Sequence, residues 1–366
     1  MTAVRELDGA DAGGQFLRTA LSLAVLENDP VRLENVRGDR PVPGLRHQHL
    51  AVLETMVDLC DADVAGGELG SETVEFDPGL SDGSRLDRRG DRRPILEGGD
   101  YDVEIGTAGS ATLLFDALLP LASILESRLS VTVSGGTDVA WSPPLDYFRQ
   151  VKLPALRRFG LSAVCEVDRR GFYPAGGGRA TVRLWPSKLD RLELLESGSL
   201  EGVRVYSTEA AALADRDVAR RQAEGALERL SSALGGREAD DDRSVPIEVV
   251  ERRETTAASE CPGSAIVLRL DHEAGVAGCS ALGERGTPAE RVGETAADRA
   301  IRHLEGGGAV DRHLADQLLV MLAIAGGEMR IPAITDHVAA SRELLAAFGV
   351  GLEFDREAET VLVSVP

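Results

Sequence analysis

The period of the apolar positions changes repeatedly along the chain. At 15–28 (QFLRTALSLAVLEN), Leu17, Leu21, Ala24 and Val25 share one helical face, and at 47–60 Leu50, Leu53, Val57 and Cys60 share another. Helices are also predicted at 112–127, 289–304, 313–324 and 337–348. The last carries Val338, Leu345 and Phe348 on one face and stops at Gly349, a good C-cap. Short β-like runs lie between them, at 31–37, 73–76, 101–105, 129–134, 163–167, 179–185, 265–270 and 360–365. The run at 129–134 (LSVTVS) alternates cleanly and ends in Gly135-Gly136. Strand, glycine turn and helix recur, which predicts an α/β fold of divergent repeated units with no fixed period.

Two stretches interrupt this order. Residues 80–95 and 235–245 are polar and rich in Arg and Asp, which predicts flexible loops. The second lies in a block, 186–280, with its own strands and a long helix near 208–234. The expected organisation is a large domain of repeated α/β units from 1–185 and 281–366, with 186–280 as a small inserted α/β domain. The 366 residues are enough for about two domains.

Charge changes the picture more than length does. The net charge is −21, the basic residues are nearly all arginine, and Lys152 and Lys188 are the only lysines. Aromatics make up 4%. An acidic, arginine-based surface points to adaptation to molar salt, where repulsion is screened over about 3 Å; a GC-rich genome favouring Arg codons is the alternative. No apolar run approaches the roughly 20 residues needed to span a bilayer. The polar start, Met1 to Asp11, has no signal-peptide core, so a cytoplasmic protein is expected. Cys60, Cys165, Cys261 and Cys279 form no C-x-x-C pair and have no histidine at zinc-finger spacing, so free thiols are expected.

Candidate chemistry lies in glycines, arginines and one histidine. Gly13-Gly14, Gly106–Ser110 (GTAGS), Gly135-Gly136 and Gly176–Gly178 each suit either a phosphate or a plain tight turn. Arg37, Arg40 and Arg46 cluster before the 47–60 helix, and Arg18 lies on the first helix. These make either an anion site or ion pairs with Glu34 and Asp39. Among six histidines, His337 follows Thr335-Asp336, which can cap a helix. In a first helical turn the dipole disfavours imidazolium, leaving a neutral imidazole suited to attack a phosphoryl group.

The order of these motifs resembles the RNA 3′-terminal phosphate cyclase family over nearly the whole chain. Leu7–Ala10 with Gly13–Arg18 is similar to that family's opening motif, and Val36–Arg40, Pro43–Leu45 and Gln48–Leu50 to its arginine segment. Glu68–Ser71, Gly98–Tyr101, Ser134–Asp138, Arg170–Gly178 (RGFYPAGGG), Leu314–Gln317 and His337 follow in the family's order. The resemblance implies repeated α/β units of the cyclase and carboxyvinyl-transferase type with a small inserted domain. It implies ATP as cosubstrate, Mg2+ or Mn2+, and RNA 3′-phosphate ends rather than DNA as substrate. By position His337 is the nucleophile that takes AMP. His313, Leu314, Ala315, Asp316 and Gln317 line the ATP site, and Arg18, Arg37, Arg40 and Gln48 hold phosphates. The chain departs from the pattern in its first loop, two residues shorter, where Asp11 replaces a metal-linked glutamate. Asp116 replaces a glutamine that contacts adenosine, and His313 an aromatic. Three rival readings differ from this one in the residues they require. A non-catalytic, cyclase-like ribosome assembly factor would lack the histidine. A carboxyvinyl transferase would need a lysine-rich site. A nonspecific RNA-binding module would need basic patches.

Overall fold

The computed structural model describes residues 4–10, 13–86, 92–234 and 247–365. Asp11 and the predicted loop at 235–245 lie outside them.

Three units of one topology account for most of the chain. The first runs β1 (Arg5–Asp8), α1 (Gly14–Glu27), β2 (Val31–Glu34), α2 (His47–Cys60), β3 (Asp63–Ala65) and β4 (Val74–Asp77). Its sheet has the order β1-β2-β4-β3, with β1 and β2 parallel and the other pairs antiparallel. A short hairpin of β5 (Asp82–Leu86) and β6 (Arg92–Pro94) follows within the predicted 80–95 loop; residues 87–91 lie outside the described residues.

The second unit runs β7 (Gly99–Glu104), α3 (Ala111–Leu118), β8 (Leu129–Gly135), a helical run, β9 (Ala163–Arg169) and β10 (Gly178–Leu184). The run joins α4 (Leu145–Tyr147) to α5 (Leu153–Arg157) through a π-turn at Phe148–Lys152. Its sheet, β7-β8-β10-β9, repeats the first order and directions. The helix predicted to 127 gives way to a 3-10 turn at Leu119–Ser123, where Pro120 lacks the N–H that would continue it.

The third unit starts with β11 (Leu192–Leu194) and is then interrupted. The interruption holds β12 (Leu200–Ala210), α6 (Val218–Leu234), β13 (Val249–Ala257), β14 (Ser264–His272), β15 (Gly275–Leu282) and α7 (Ala289–Gly306). Its own sheet has the order β13-β12-β14-β15, and both helices pack on it. Val203, Val205, Leu230, Ile266, Leu268, Ala296 and their neighbours form a second core there. The helix predicted from 208 starts at Val218 instead, because β12 continues to Ala210 between two partner strands. Buried Glu209 then accepts from the Ala219 N–H at the start of α6. The chain returns through α8 (Arg312–Gln317), α9 (Leu319–Ala325), β16 (Gly327–Ile331), α10 (Asp336–Ala347), β17 (Glu353–Glu357) and β18 (Thr360–Val365). The sheet β11-β16-β18-β17 completes the same pattern a third time.

Helices and sheets of the three units share one large core that includes Leu21, Phe76, Phe115, Leu153, Leu322 and Leu345. Polar ties hold the interruption against it. Tyr147 donates to both oxygens of Asp311, and Asp311 also accepts from the Gly278 N–H at 2.9 Å. Arg170 is buried between Asp138 and Asp146, and Thr208 of β12 donates to Asp146. Among the described residues no helix is long and apolar enough to cross a membrane.

Candidate active site

The first helix of each unit delivers one charged residue to a common centre. Arg18 of α1, Asp116 of α3 and Asp316 of α8 lie within one another's fields. Arg18 is buried, and that burial brings its pKa down to about 10 against the pull of Asp116 and Asp316. It therefore remains a cation at neutral pH. Lys152, also buried, is ion-paired with Asp116. Burial pushes the Asp316 carboxyl up to about 6; His313 and Lys152 oppose the shift, while Asp116 and Asp311 add to it. Among the described residues, Asp316 Oδ1 and Gln317 Oε1 are buried without a hydrogen-bond partner. Buried acceptors are nearly always satisfied, so both oxygens are left with capacity to accept a hydrogen bond.

The starts of α1 and α2 build a second wall. A Cβ on Gly14 would stand 2.2 Å from His49 Nε2 and 3.3 Å from Arg18 Nη1, and one on Gly13 would stand 3.6 Å from Arg40 Nη2. Three donors thus crowd the first turn of α1, where unpaired backbone N–H groups add positive potential. His49 Nδ1 accepts from the Arg46 N–H at 3.2 Å, so its proton sits on Nε2, beside Gly14. Burial, then Arg18, Arg37 and Arg46, depress the His49 pKa to about 3. The ring is a neutral donor at any physiological pH. Arg37, left-handed at φ 57°, donates to the Val42 and Gly44 carbonyls and shapes the loop. Glu34 is taken by Arg32, and among the described residues no carboxylate pairs with Arg37, Arg40 or Arg46. The anion-site alternative therefore fits this cluster better than ion pairing does.

His337 faces the same region. It is the second residue of α10, whose cap Thr335 accepts from the Val338 N–H at 3.2 Å. Gln15 of α1 reaches Ser341 of α10 at 3.5 Å. Partial burial of the imidazole, then the fields of Arg18, Arg40 and Arg312, lower its pKa against the opposing Asp336. The ring is therefore neutral at pH 7.

The remaining expectations divide. Gln48 accepts from the Ser110 N–H at 3.2 Å and so joins α2 to the GTAGS loop. His313 lies edge-on to Tyr147 at 6.3 Å, while Leu314 and Ala315 are fully buried in the core. Among the described residues, Gly13-Gly14 alone of the four glycine turns meets both arginine and histidine side chains; in the Gly176–Gly178 turn the Gly177 carbonyl accepts from Arg169. The others pack on one another: a Cβ on Gly136 would lie 2.6 Å from the Ala108 carbonyl oxygen, and one on Gly176 2.8 Å from Ala108 Cα. Two residues received no role from the sequence. His49 gave no signal alone, because its partner Gly14 lies on another helix. Lys152 had one clue, the scarcity of lysine.

A profile of the family described as RNA 3′-terminal phosphate cyclase matches residues 10–354. The chain belongs to that family. It is 42% identical over 357 residues to an RNA 3′-terminal phosphate cyclase of Halobacterium salinarum, covering 98% of each chain. The relative of Methanopyrus kandleri is 41% identical, with 88% and 86% covered, and that of Thermococcus onnurineus 40%, with 96% and 95% covered. The halophilic relative fits the acidic, arginine-based composition. A solved enolpyruvyl transferase of Streptomyces tendae is 12% identical with a TM-score of 0.24, covering 100% of this chain and 66% of its own, too distant to carry an argument.

Proposed function

We propose that this protein converts an RNA 3′-terminal phosphate into a 2′,3′-cyclic phosphate with ATP, through AMP carried on His337. The observation that carries this reading is the convergence of neutral His337 with Arg18, Arg40, His49 and the start of α1. Family membership supplies the reaction class.

The neutral His337 imidazole attacks the α-phosphorus of ATP, the bond to the β-phosphate oxygen breaks, and pyrophosphate leaves. Charge gathers on phosphate oxygens in that step, and Arg18, Arg40, His49 Nε2–H and the first N–H groups of α1 are fixed donors for it. AMP then passes from histidine to an oxygen of the RNA 3′-phosphate. The adjacent 2′-hydroxyl attacks that phosphorus, loses its proton, and expels AMP. A phosphate monoester dianion is a poor electrophile, and adenylation gives it a leaving group. The last step is intramolecular, an advantage of about 7–11 kcal/mol in ideal cases. Its need for a 2′-hydroxyl selects RNA over DNA.

Asp316 and Gln317 are the proposed acceptors for donors of the nucleoside. Asp116, locked to Lys152, shapes the wall where the family's glutamine would reach the base. A divalent cation would neutralise part of the triphosphate charge. Among the described residues no three His, Cys, Asp or Glu side chains gather to hold one. Mg2+ needs only one or two carboxylates beside substrate phosphates and water, and Asp11 remains its proposed ligand. The three-unit architecture suits the cyclase and carboxyvinyl-transferase class, and the cytoplasm is the proposed location.

Incubation with α-labelled ATP and Mg2+ tests the reading. A label that survives denaturation in the wild type and vanishes in His337→Ala is expected. No label in the wild type would instead favour a non-catalytic assembly factor.

A further inference from the structure

Two aromatic side chains project into solvent on a protein that has few. Trp141 is 99% exposed and Tyr173 75% exposed. Neither sits on a loose tip. The Trp141 loop is pinned by Ser142 to the Val139 carbonyl, by Thr112 to the Pro143 carbonyl at 2.8 Å, and by the Leu145 N–H to the Thr137 carbonyl. Trp141 itself is left-handed at φ 66°. That conformation is unfavourable for a bulky non-glycine residue and persists only where its surroundings impose it. The Tyr173 loop is closed by the Gly176 N–H to the Phe172 carbonyl at 2.7 Å, with Phe172 buried beneath it.

The two loops spring from one place. The Thr137 and Asp138 N–H groups both donate to the Gly171 carbonyl, and Asp138 bridges Phe172. That place adjoins the reactive centre. Gly176 lies against Ala108, and the same loop meets Gln48 through the Ser110 N–H. Two exposed rings, each on a hydrogen-bonded loop, thus stand one loop away from the start of α2.

We propose that Trp141 and Tyr173 are a stacking platform for the last unpaired bases of the RNA, positioning its 3′-phosphate. This rests on the function proposed above. A mononucleotide is usually enclosed over most of its surface, whereas a ring exposed all round suits a polymer that continues into solvent. Charge favours the same answer. With a net charge of −21, long-range attraction of the RNA backbone is unavailable, and salt would screen it. Stacking is sequence-tolerant, uses short-range contact, and needs no net positive surface.

The test compares Trp141→Ala, Tyr173→Ala and Trp141→Phe with the wild type, using an oligoribonucleotide 3′-phosphate with normal or abasic terminal nucleotides. For each Ala variant, KM for the RNA should rise roughly tenfold or more with little change in kcat. The rise should persist in 2 M KCl, largely disappear in Trp141→Phe, and be small for the abasic substrate. Histidine–AMP formation without RNA and the KM for ATP should be unchanged. An unaltered RNA KM, or a shift in the ATP KM instead, overturns the proposal. Binding is read separately, by quenching of Trp141 fluorescence in a Trp185→Phe background on adding the same RNA. Quenching without any histidine–AMP sinks the catalytic reading and leaves the platform standing. Absence of quenching sinks the platform whatever the chemistry.

Discussion

His337 can attack only as the free imidazole, so protonation sets the lower pH limit of the first step. Partial burial and the cations around it lower its pKa, which keeps the neutral form dominant further into acid. The rate of histidine–AMP formation should therefore fall with an inflection below the ordinary histidine value of about 6.5. Arg18→Ala removes one of the cations that lower it, so the inflection should move upward while the maximal rate drops; a rate-against-pH profile checks both. Asp316 carries the opposite sign. Its folded-state pKa is raised to about 6, so the fold is penalised by the ionised form above about 6 and not below the unfolded value of about 3.9. Asp316→Asn should stabilise the protein at pH 8, change little at pH 4, and weaken ATP binding. Denaturant melts at the two pH values, with ATP titration, measure this. Helix position marked His337 as a candidate and the order of the motifs singled it out with Arg18; the structure sets Arg18 within the field of His337. His49 was not legible, because its tautomer depends on the Arg46 backbone and its proton faces Gly14 on a different helix.

Elements with a long apolar stripe were legible almost to the residue, as α2 shows at His47–Cys60. Short strands such as β3 and β11 were not, since three residues carry no period and their partners are distant. The sequence at 208–217 has a helical composition, yet pairing on both sides keeps 208–210 in a strand. Each glycine turn suited either a phosphate or a plain tight turn, and at Gly136 and Gly176 backbone meets backbone. The exception gives a prediction. Gly14→Ala places a methyl 2.2 Å from His49 Nε2, forcing the imidazole aside within a helix that tolerates alanine well. Histidine–AMP formation should fall at least tenfold while the melting temperature changes little; a large loss of stability with normal label would show that Gly14 serves packing alone.

For the molecule as a whole, the surface charge decides the working conditions. At molar salt, counterion release adds little to RNA binding, so arginine contacts and stacking must carry it. Activity should change only shallowly above 1 M KCl, and a steep loss there in a salt titration would contradict this. The three-unit plan was legible as a recurring pattern, not as a count, because the interruption hides the third repeat. That interruption also governs the order of assembly. Leu192 of β11 pairs with Gly327 of β16 across the whole inserted block. Closing a loose loop of about 130 residues costs about 3 kcal/mol more than closing a five-residue turn. Once the block has folded, its ends are neighbours, since Leu200 pairs with His272 and His272 lies 5.9 Å from His303. A ribosome releasing this chain would then hold β11 in waiting until the block is formed, and the seam of the third sheet would be the last to close.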